Sequence, residues 1–249
     1  MLSLHIEKNR EVILLFYAPD IMGNTYVLSE LESKHVLKVL RKGIGDVIFL
    51  TDGKGNMFHT RIIGTDVRAC MVEVEHVERD YCPLPYQLHI AVAPTKNTDR
   101  LEWFAEKAVE IGISRISTIV CDNSERSMVK ADRLQRVMVS AMKQSLRARL
   151  PLLDVNLSFT DILQEYKEPS VLKLIAYCGV SPVEKLPIKQ VVKAGQPVVV
   201  LIGPEGDFSQ QEFHTALRQG FIPVTLGDMR LRTETAAMYV CAAVSVVNQ

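Results

Sequence analysis

A charge imbalance is missing from this chain: 29 Lys and Arg stand against 29 Asp and Glu in 249 residues. No global field therefore draws it to nucleic acid or to a membrane surface, and an RNA-binding face has to come from local clusters. Cysteine is scarce and unpatterned. Cys70, Cys82, Cys121, Cys178 and Cys241 are odd in number, far apart and never in a C-x-x-C, which argues against a disulfide framework or a thiolate zinc site and predicts reduced cytosolic thiols. No apolar run approaches the roughly 20 residues of a membrane span. The run at 12–18 follows Lys8 and Arg10 but is short and leads into Pro19-Asp20 without a small-residue cleavage site, a poor signal peptide. A cytoplasmic location with no membrane partner is expected. Also absent are G-x-G-x-x-G, the Walker A loop, H-E-x-x-H and G-x-S-x-G, and the six histidines offer no metal pair at helical spacing. Ordinary dinucleotide folds, P-loop NTPases, zinc proteases and α/β-hydrolases thus lack their fingerprints, and no metal is expected.

What is present is globular: 47% hydrophobic and 23% charged residues, enough for one large or two ordinary domains with a proper core. The chain is organised around VVVLIGPEGDFSQQE at 198–212. Val198 to Ile202 is β-branched and apolar on both faces, as in a central parallel strand covered on both sides. It runs into Gly203-Pro204-Glu205-Gly206, where the glycines allow a ligand to approach the main chain. Ser209 and Glu212 form a capping box, so a helix starts there with its free N–H groups toward that loop. Strand, glycine loop and helix N-terminus make a ligand site in many α/β sheets. A bland strand-to-helix turn uses the same residues, and this stretch alone leaves both readings standing. A second unit follows: a short strand at 224–226, a turn at Gly227-Asp228, and Thr233 as cap of an apolar helix from Glu234 to about Val247.

Gly-Pro-Glu-Gly after one strand and Leu-Arg-Thr-Glu-Thr-Ala after the next, near a C-terminus, resemble the SPOUT RNA methyltransferases, and most closely the RsmE family. LFYAPDI at Leu15, HVLKVLRKGIGD at His35, EKAVEIGI at Glu106 and KQSLRARLP at Lys143 match in the same order. The resemblance covers nearly the whole chain. It implies an α/β fold: a SPOUT-type open parallel sheet with a deep trefoil knot at 83–249, and a PUA-like β-barrel RNA-binding domain at 1–82, of which 1–14 is an extension. It also implies S-adenosylmethionine as cofactor, and N3 of a uridine in 16S ribosomal RNA as the methylated atom, on free RNA or on an assembled small subunit. The cofactor residues it points to are Tyr177, Gly179, Leu201, Ile202, Gly203, Pro204, Glu205, Gly206, Leu226, Gly227, Leu231, Thr233, Glu234 and Thr235. Gln144 and Ser145 lie near the active site of family members, many of which have Glu where this chain has Lys143. A non-catalytic ribosomal-RNA-binding protein, or a SPOUT enzyme with another RNA target, is the competing reading.

In the first domain, strands are expected at 46–51, 57–63 and 70–77, with 52–56 as a hairpin loop. A helix capped by Ser29 and Glu32 places Lys34, Lys38 and Arg41 on one face, where they hold phosphates or are an ordinary solvated surface. The two prolines of 81–86 mark a linker. In the second domain, a strand at 88–93, a helix at 99–111 and a strand at 116–121 form a βαβ unit. On that helix Leu101, Phe104, Ala105, Ala108 and Ile111 face the core, and Trp103 lies off the stripe. A helix at 131–150 carries Arg133, Arg136, Lys143 and Arg147 in one narrow sector without an interleaved acid, a second candidate RNA surface. Strands ending at Tyr177, Ile202 and Leu226 present three loops at one sheet edge, as one pocket. Within it Arg232 is the candidate catalytic residue: its fork of donors suits the oxygens of a uracil losing its N3 proton. A salt bridge to Glu205 or Glu234, and free solvation, are the competing roles for Arg232. The final helix is apolar around nearly its whole circumference and predicts a homodimer.

Overall fold

The computed structural model describes residues 13–167 and 170–249. The extension expected at 1–14 lies outside the described residues except for Ile13 and Leu14, and the Leu14 carbonyl accepts from Phe49 N at 3.0 Å. The chain divides into two compact units, one formed by residues up to Pro83 together with Met142–Arg149, the other by Leu84–Ala141 and Leu150–Gln249. The sequence assigns all of 83–249 to the second domain, whereas Met142–Arg149 clusters with the first unit. Its anchors there are specific: Thr51 Oγ1 donates to the Ala148 carbonyl at 2.9 Å, and Lys143 pairs with Glu32 at 2.6 Å.

The first unit is a five-stranded sheet in the order β1-β3-β4-β5-β2, with β1 Leu15–Tyr17, β2 Thr25–Val27, β3 Val47–Thr51, β4 Met57–Asp66 and β5 Ala69–Glu78. Alternation along these strands sends Phe16, Ile48, Leu50, Ile62 and Val72 into one core with Leu28 and Val36. Helix α1, Glu30–Lys34, is capped by the Ser29 hydroxyl accepting from Glu32 N, and passes into a π-helical turn at His35–Val39. This corrects the expected basic stripe, because the helical period is broken at His35 and Arg41 lies beyond the turn in a left-handed conformation, φ 56°.

The second unit is a seven-stranded, all-parallel sheet in the order β10-β12-β9-β11-β6-β7-β8. Its strands are β6 Leu88–Val92, β7 Arg115–Val120, β8 Leu152–Ser158, β9 Leu172–Ala176, β10 Leu186–Pro187, β11 Val198–Ile202 and β12 Ile222–Thr225. Both central strands, β6 and β11, are buried at every residue, as their unbroken apolar runs require. Helix α2, Thr98–Ile111, starts where the Asn97 side chain accepts from Asp99 N, and buries Leu101, Phe104, Ala105, Ala108 and Val109. Val109 rather than Ile111 completes the buried face. Helix α3 spans Ala131–Gln144, shorter than the expected 131–150: Arg147 N turns back to the Met142 carbonyl at 3.0 Å, and Leu146 takes φ 55°. Arg147 is therefore off the helix and out of the expected sector. The remaining helices are α4 Phe159–Glu165, α5 Ile188–Val191, α6 Gln210–Arg218 and α7 Thr233–Val247. Both halves of the capping box at Ser209 and Glu212 are formed ahead of α6.

Candidate functional site

Strands β12, β9 and β11 are neighbours and parallel, so the segments that follow Thr225, Ala176 and Ile202 leave one edge of the sheet side by side. They enclose a cavity of about 820 Å³, within the range of small-molecule and cofactor sites. Ile202, Val224, Leu226 and Leu231 give it apolar walls, and Lys185, Glu205, Asp207, Asp228, Arg230 and Arg232 its charged groups.

The segment after β9 is fixed by its aromatic ring. Tyr177 stacks on Phe213 with centroids 3.9 Å apart and planes at 16°, and a Cβ on Gly179 would stand 2.5 Å from that same tyrosine ring. Only glycine fits there without moving the ring. Burial, then the nearby Asp207 carboxylate, raises the pKa of the Tyr177 phenol and of the Cys178 thiol above their ordinary values. Both groups are neutral at physiological pH.

The segment after β11 is tied on all sides. The Gly203 carbonyl accepts from the Thr233 hydroxyl at 3.1 Å, and Glu205 Oε1 accepts from Lys96 N at 3.0 Å. Asn123 Nδ2 donates to the carbonyls of Gly206 at 3.3 Å and Asp207 at 3.1 Å. After β12, Gly227 takes φ 121°, a conformation that excludes most side chains, with its N–H on Thr225 Oγ1 at 3.2 Å.

Of the residues expected at the cofactor, Tyr177, Gly179, Ile202, Gly203, Pro204, Glu205, Leu226, Gly227, Leu231 and Thr233 line the cavity, as does Arg232. Leu201, Gly206, Glu234 and Thr235 do not; Gln144 and Ser145, expected near the active site, belong to the first unit. Leu201 points into the core with Ala91 and Ile119 because side chains alternate along β11. Thr233 is not the cap it was expected to be. It is the first residue of α7, Arg232 occupies the N-cap position without a side-chain cap bond, and the Thr233 hydroxyl is used on Gly203 instead. Neither salt bridge weighed as a competing role for Arg232 is found among the described residues. Glu234 lies 3.8 Å from Arg100 and Glu205 serves the Lys96 amide. Among the described residues the Arg232 guanidinium makes no ion pair, and it is exposed at the cavity wall. Lys185, Asp207 and Arg230 were missed. Asp207 carried a signal, since Asp after Gly in a loop tolerates the left-handed φ of 64° that it adopts; Lys185 carried none.

A family model for the RNA methyltransferase domain matches residues 82–245, well over half of the chain, and a second, for the RNA methyltransferase PUA domain, matches 28–75. The chain belongs to the RNA methyltransferase family. Its parallel-sheet methyltransferase domain and N-terminal PUA domain are those the motifs implied. The crystal structure of a probable rRNA-methyltransferase from Porphyromonas gingivalis is 41% identical, with a TM-score of 0.89 and coverage of 95% of this chain and 98% of that one. The Ribosomal RNA small subunit methyltransferase E from Neisseria gonorrhoeae, in a crystal structure bound to S-adenosyl methionine, is 29% identical with a TM-score of 0.78, covering 95% and 98% of the two chains. The Aquifex aeolicus protein of the same name is 28% identical over 229 residues, 90% of this chain and 95% of that one.

The basic residues singled out in the sequence differ in their ion pairing. Lys34 pairs with Glu30 at 2.6 Å, Lys143 with Glu32 at 2.6 Å, and Arg133 with both Asp99 at 3.2 Å and Glu102 at 2.5 Å. The acid missing from the α3 sector is thus supplied to Arg133 by α2. Among the described residues Lys38, Arg41 and Arg136 make no ion pair and are exposed.

Proposed function

We propose that this methyltransferase transfers a methyl group from S-adenosylmethionine to N3 of a uridine in 16S ribosomal RNA, on free RNA or on the assembled small subunit. The observation that carries the reading is the cavity on the edge of β12, β9 and β11, glycine-lined and flanked by an arginine that has no carboxylate partner among the described residues. Relatives named Ribosomal RNA small subunit methyltransferase E match over nearly their full length, and the Neisseria gonorrhoeae structure carries S-adenosyl methionine. The residues fit such a group. A Cβ on Gly203 would come within 3.1 Å of the Phe208 ring, so glycine lets that segment pack tightly on the core, while Gly227 has nothing within 4 Å of its Cβ position and leaves the main chain open to a ligand. Ile202, Leu226 and Leu231 suit an adenosine face.

Bound S-adenosylmethionine supplies the electrophilic methyl, so the protein has only to orient the base and favour loss of the imide proton. Arg232 serves both needs. Its guanidinium stays charged and presents parallel donors to the two carbonyl oxygens onto which a deprotonated uracil spreads its charge. Freedom from an acidic partner leaves those donors available. A non-catalytic RNA-binding protein would need neither this cavity nor the free arginine. The test is calorimetric titration with S-adenosylmethionine followed by methylation of small-subunit RNA: binding with methyl incorporation at uridine N3 is expected, and no binding overturns the reading.

Five finer features belong to this proposal. The C-terminal segment forms a deep trefoil knot, supported by α7 doubling back from β12 to pack on β6, β11 and α2. The first unit closes as a barrel, supported by the single core beneath its five strands. Lys38, Arg41 and Arg136 contact RNA phosphates, supported by their lack of carboxylate partners. The chain is a homodimer, supported by α7, where Tyr239 is 46% and Val246 67% exposed on an otherwise apolar helix. The place of action is the cytoplasm, where that substrate is made. No helix among the described residues is long and apolar enough to cross a membrane.

A further inference from the structure

We propose that Lys185 and Asp207 are positioning residues that clamp the Tyr177–Cys178–Gly179 segment from opposite sides and thereby set one wall of the cofactor site. This assignment rests on reading the cavity as that site. The Lys185 ammonium, at the start of the approach to β10, donates to three consecutive carbonyls: Tyr177 at 3.2 Å, Cys178 at 3.4 Å and Gly179 at 3.0 Å. Asp207, in the segment after β11, accepts through one oxygen from two consecutive amides, Cys178 N at 2.9 Å and Gly179 N at 3.2 Å. Its other oxygen accepts from Phe208 N at 2.9 Å, which fixes the carboxylate in its own loop. The left-handed backbone of Asp207 turns it toward the β9 segment.

Five backbone polar groups of three residues are thus satisfied by two charged side chains, each bond charge-assisted. The segment has no ladder or helix of its own to hold it. With both amides occupied, it offers a ligand its shape, including the bare Cα of Gly179, and the remaining lone pairs of its three carbonyls. The clamp's contribution is preorganisation: a ligand that finds the wall already set does not bear the cost of ordering it. Neither side chain needs to touch the cofactor for this role.

The test is calorimetry of the full-length protein with S-adenosylmethionine as probe, on wild type, Lys185→Met, Asp207→Ala, the double variant and Asp207→Asn. Each of the first two single variants raises Kd about 10-fold or more, the range of a lost charge-assisted bond. The double variant is no worse than the weaker single, because both act on one segment. Asp207→Asn falls between wild type and Asp207→Ala, since Asn tolerates the left-handed backbone and its one amide oxygen can still accept from Cys178 and Gly179, while the charge and the acceptor for Phe208 N are lost. Thermal unfolding moves by no more than about 3 °C, and amide exchange at Cys178 and Gly179 speeds up in Lys185→Met. A wild type that binds alongside single variants of unchanged Kd overturns the clamp while sparing the cofactor reading, and so does a Kd rise that merely tracks lost thermal stability. A wild type that does not bind overturns both.

Discussion

The Thr233 hydroxyl donates to the Gly203 carbonyl at 3.1 Å in a buried position, joining the first turn of the last helix to the loop that leaves the central strand. Thirty residues apart in sequence, both residues line the same cavity, and the bond ties two of its lining segments to each other. Thr233→Val keeps the shape but removes the donor and leaves a buried carbonyl unpaired, at about 1–3 kcal/mol. Urea unfolding of Thr233→Val beside Thr233→Ser measures it; the serine variant is expected to lie near wild type, and equal stability of all three would refute the role.

His89 gives the second unit an acid limit. Its ring is buried between the Tyr166 hydroxyl at 2.6 Å and Ser117 Oγ at 2.8 Å. Burial, then the neighbouring Arg115, lowers its pKa from 6.5 to about 3. Between these values the unfolded chain binds the proton and the folded chain does not, so the contribution is fully present above about 6.5 and is lost as pH falls toward 3. The slope from this residue is at most about 1.4 kcal/mol per pH unit. Stability measured at pH 7, 6 and 5 should fall for wild type and fall less for His89→Gln; parallel curves would assign the acid sensitivity elsewhere.

Tyr239 and Val246 lie on the same face of α7 and are exposed, while Ala237, Val240, Cys241 and Val244 are buried. Introducing Tyr239→Glu with Val246→Glu is expected to convert a dimer into a folded monomer of 28.0 kDa, because two charges cannot be covered by an apolar partner without large desolvation cost. Light scattering decides: a wild type already monomeric at micromolar concentration removes the dimer proposal.

Much of this was legible in the sequence, for physical reasons that also explain the failures. Val198–Ile202 could be read to the residue because a strand buried on both faces tolerates only apolar side chains, and the Ser209–Glu212 box announced α6 because its partners are local. Helix ends were less legible. Nothing in KQSLRARLP marks the left-handed Leu146 that stops α3, and nothing in HVLKV marks the π turn that breaks the basic stripe. Charge partners were illegible where they are distant: Arg133 looked like a free cation until α2 brought Asp99 and Glu102 to it. The same limit hid Lys185, whose partners are three main-chain oxygens that no side-chain pattern encodes.

The central claim is that the guanidinium of Arg232, without an ion pair among the described residues, serves the uracil rather than the fold. Single-turnover transfer of labelled methyl from S-adenosylmethionine to small-subunit RNA, wild type against Arg232→Ala, tests it most directly. Removing one preorganised donor to developing charge typically costs ~10²- to 10³-fold in rate, so the variant should bind the cofactor nearly as well as wild type and methylate slower by that factor, with Arg232→Lys recovering only part because a point charge lacks the fork. A rate for Arg232→Ala within a few-fold of wild type would contradict the account.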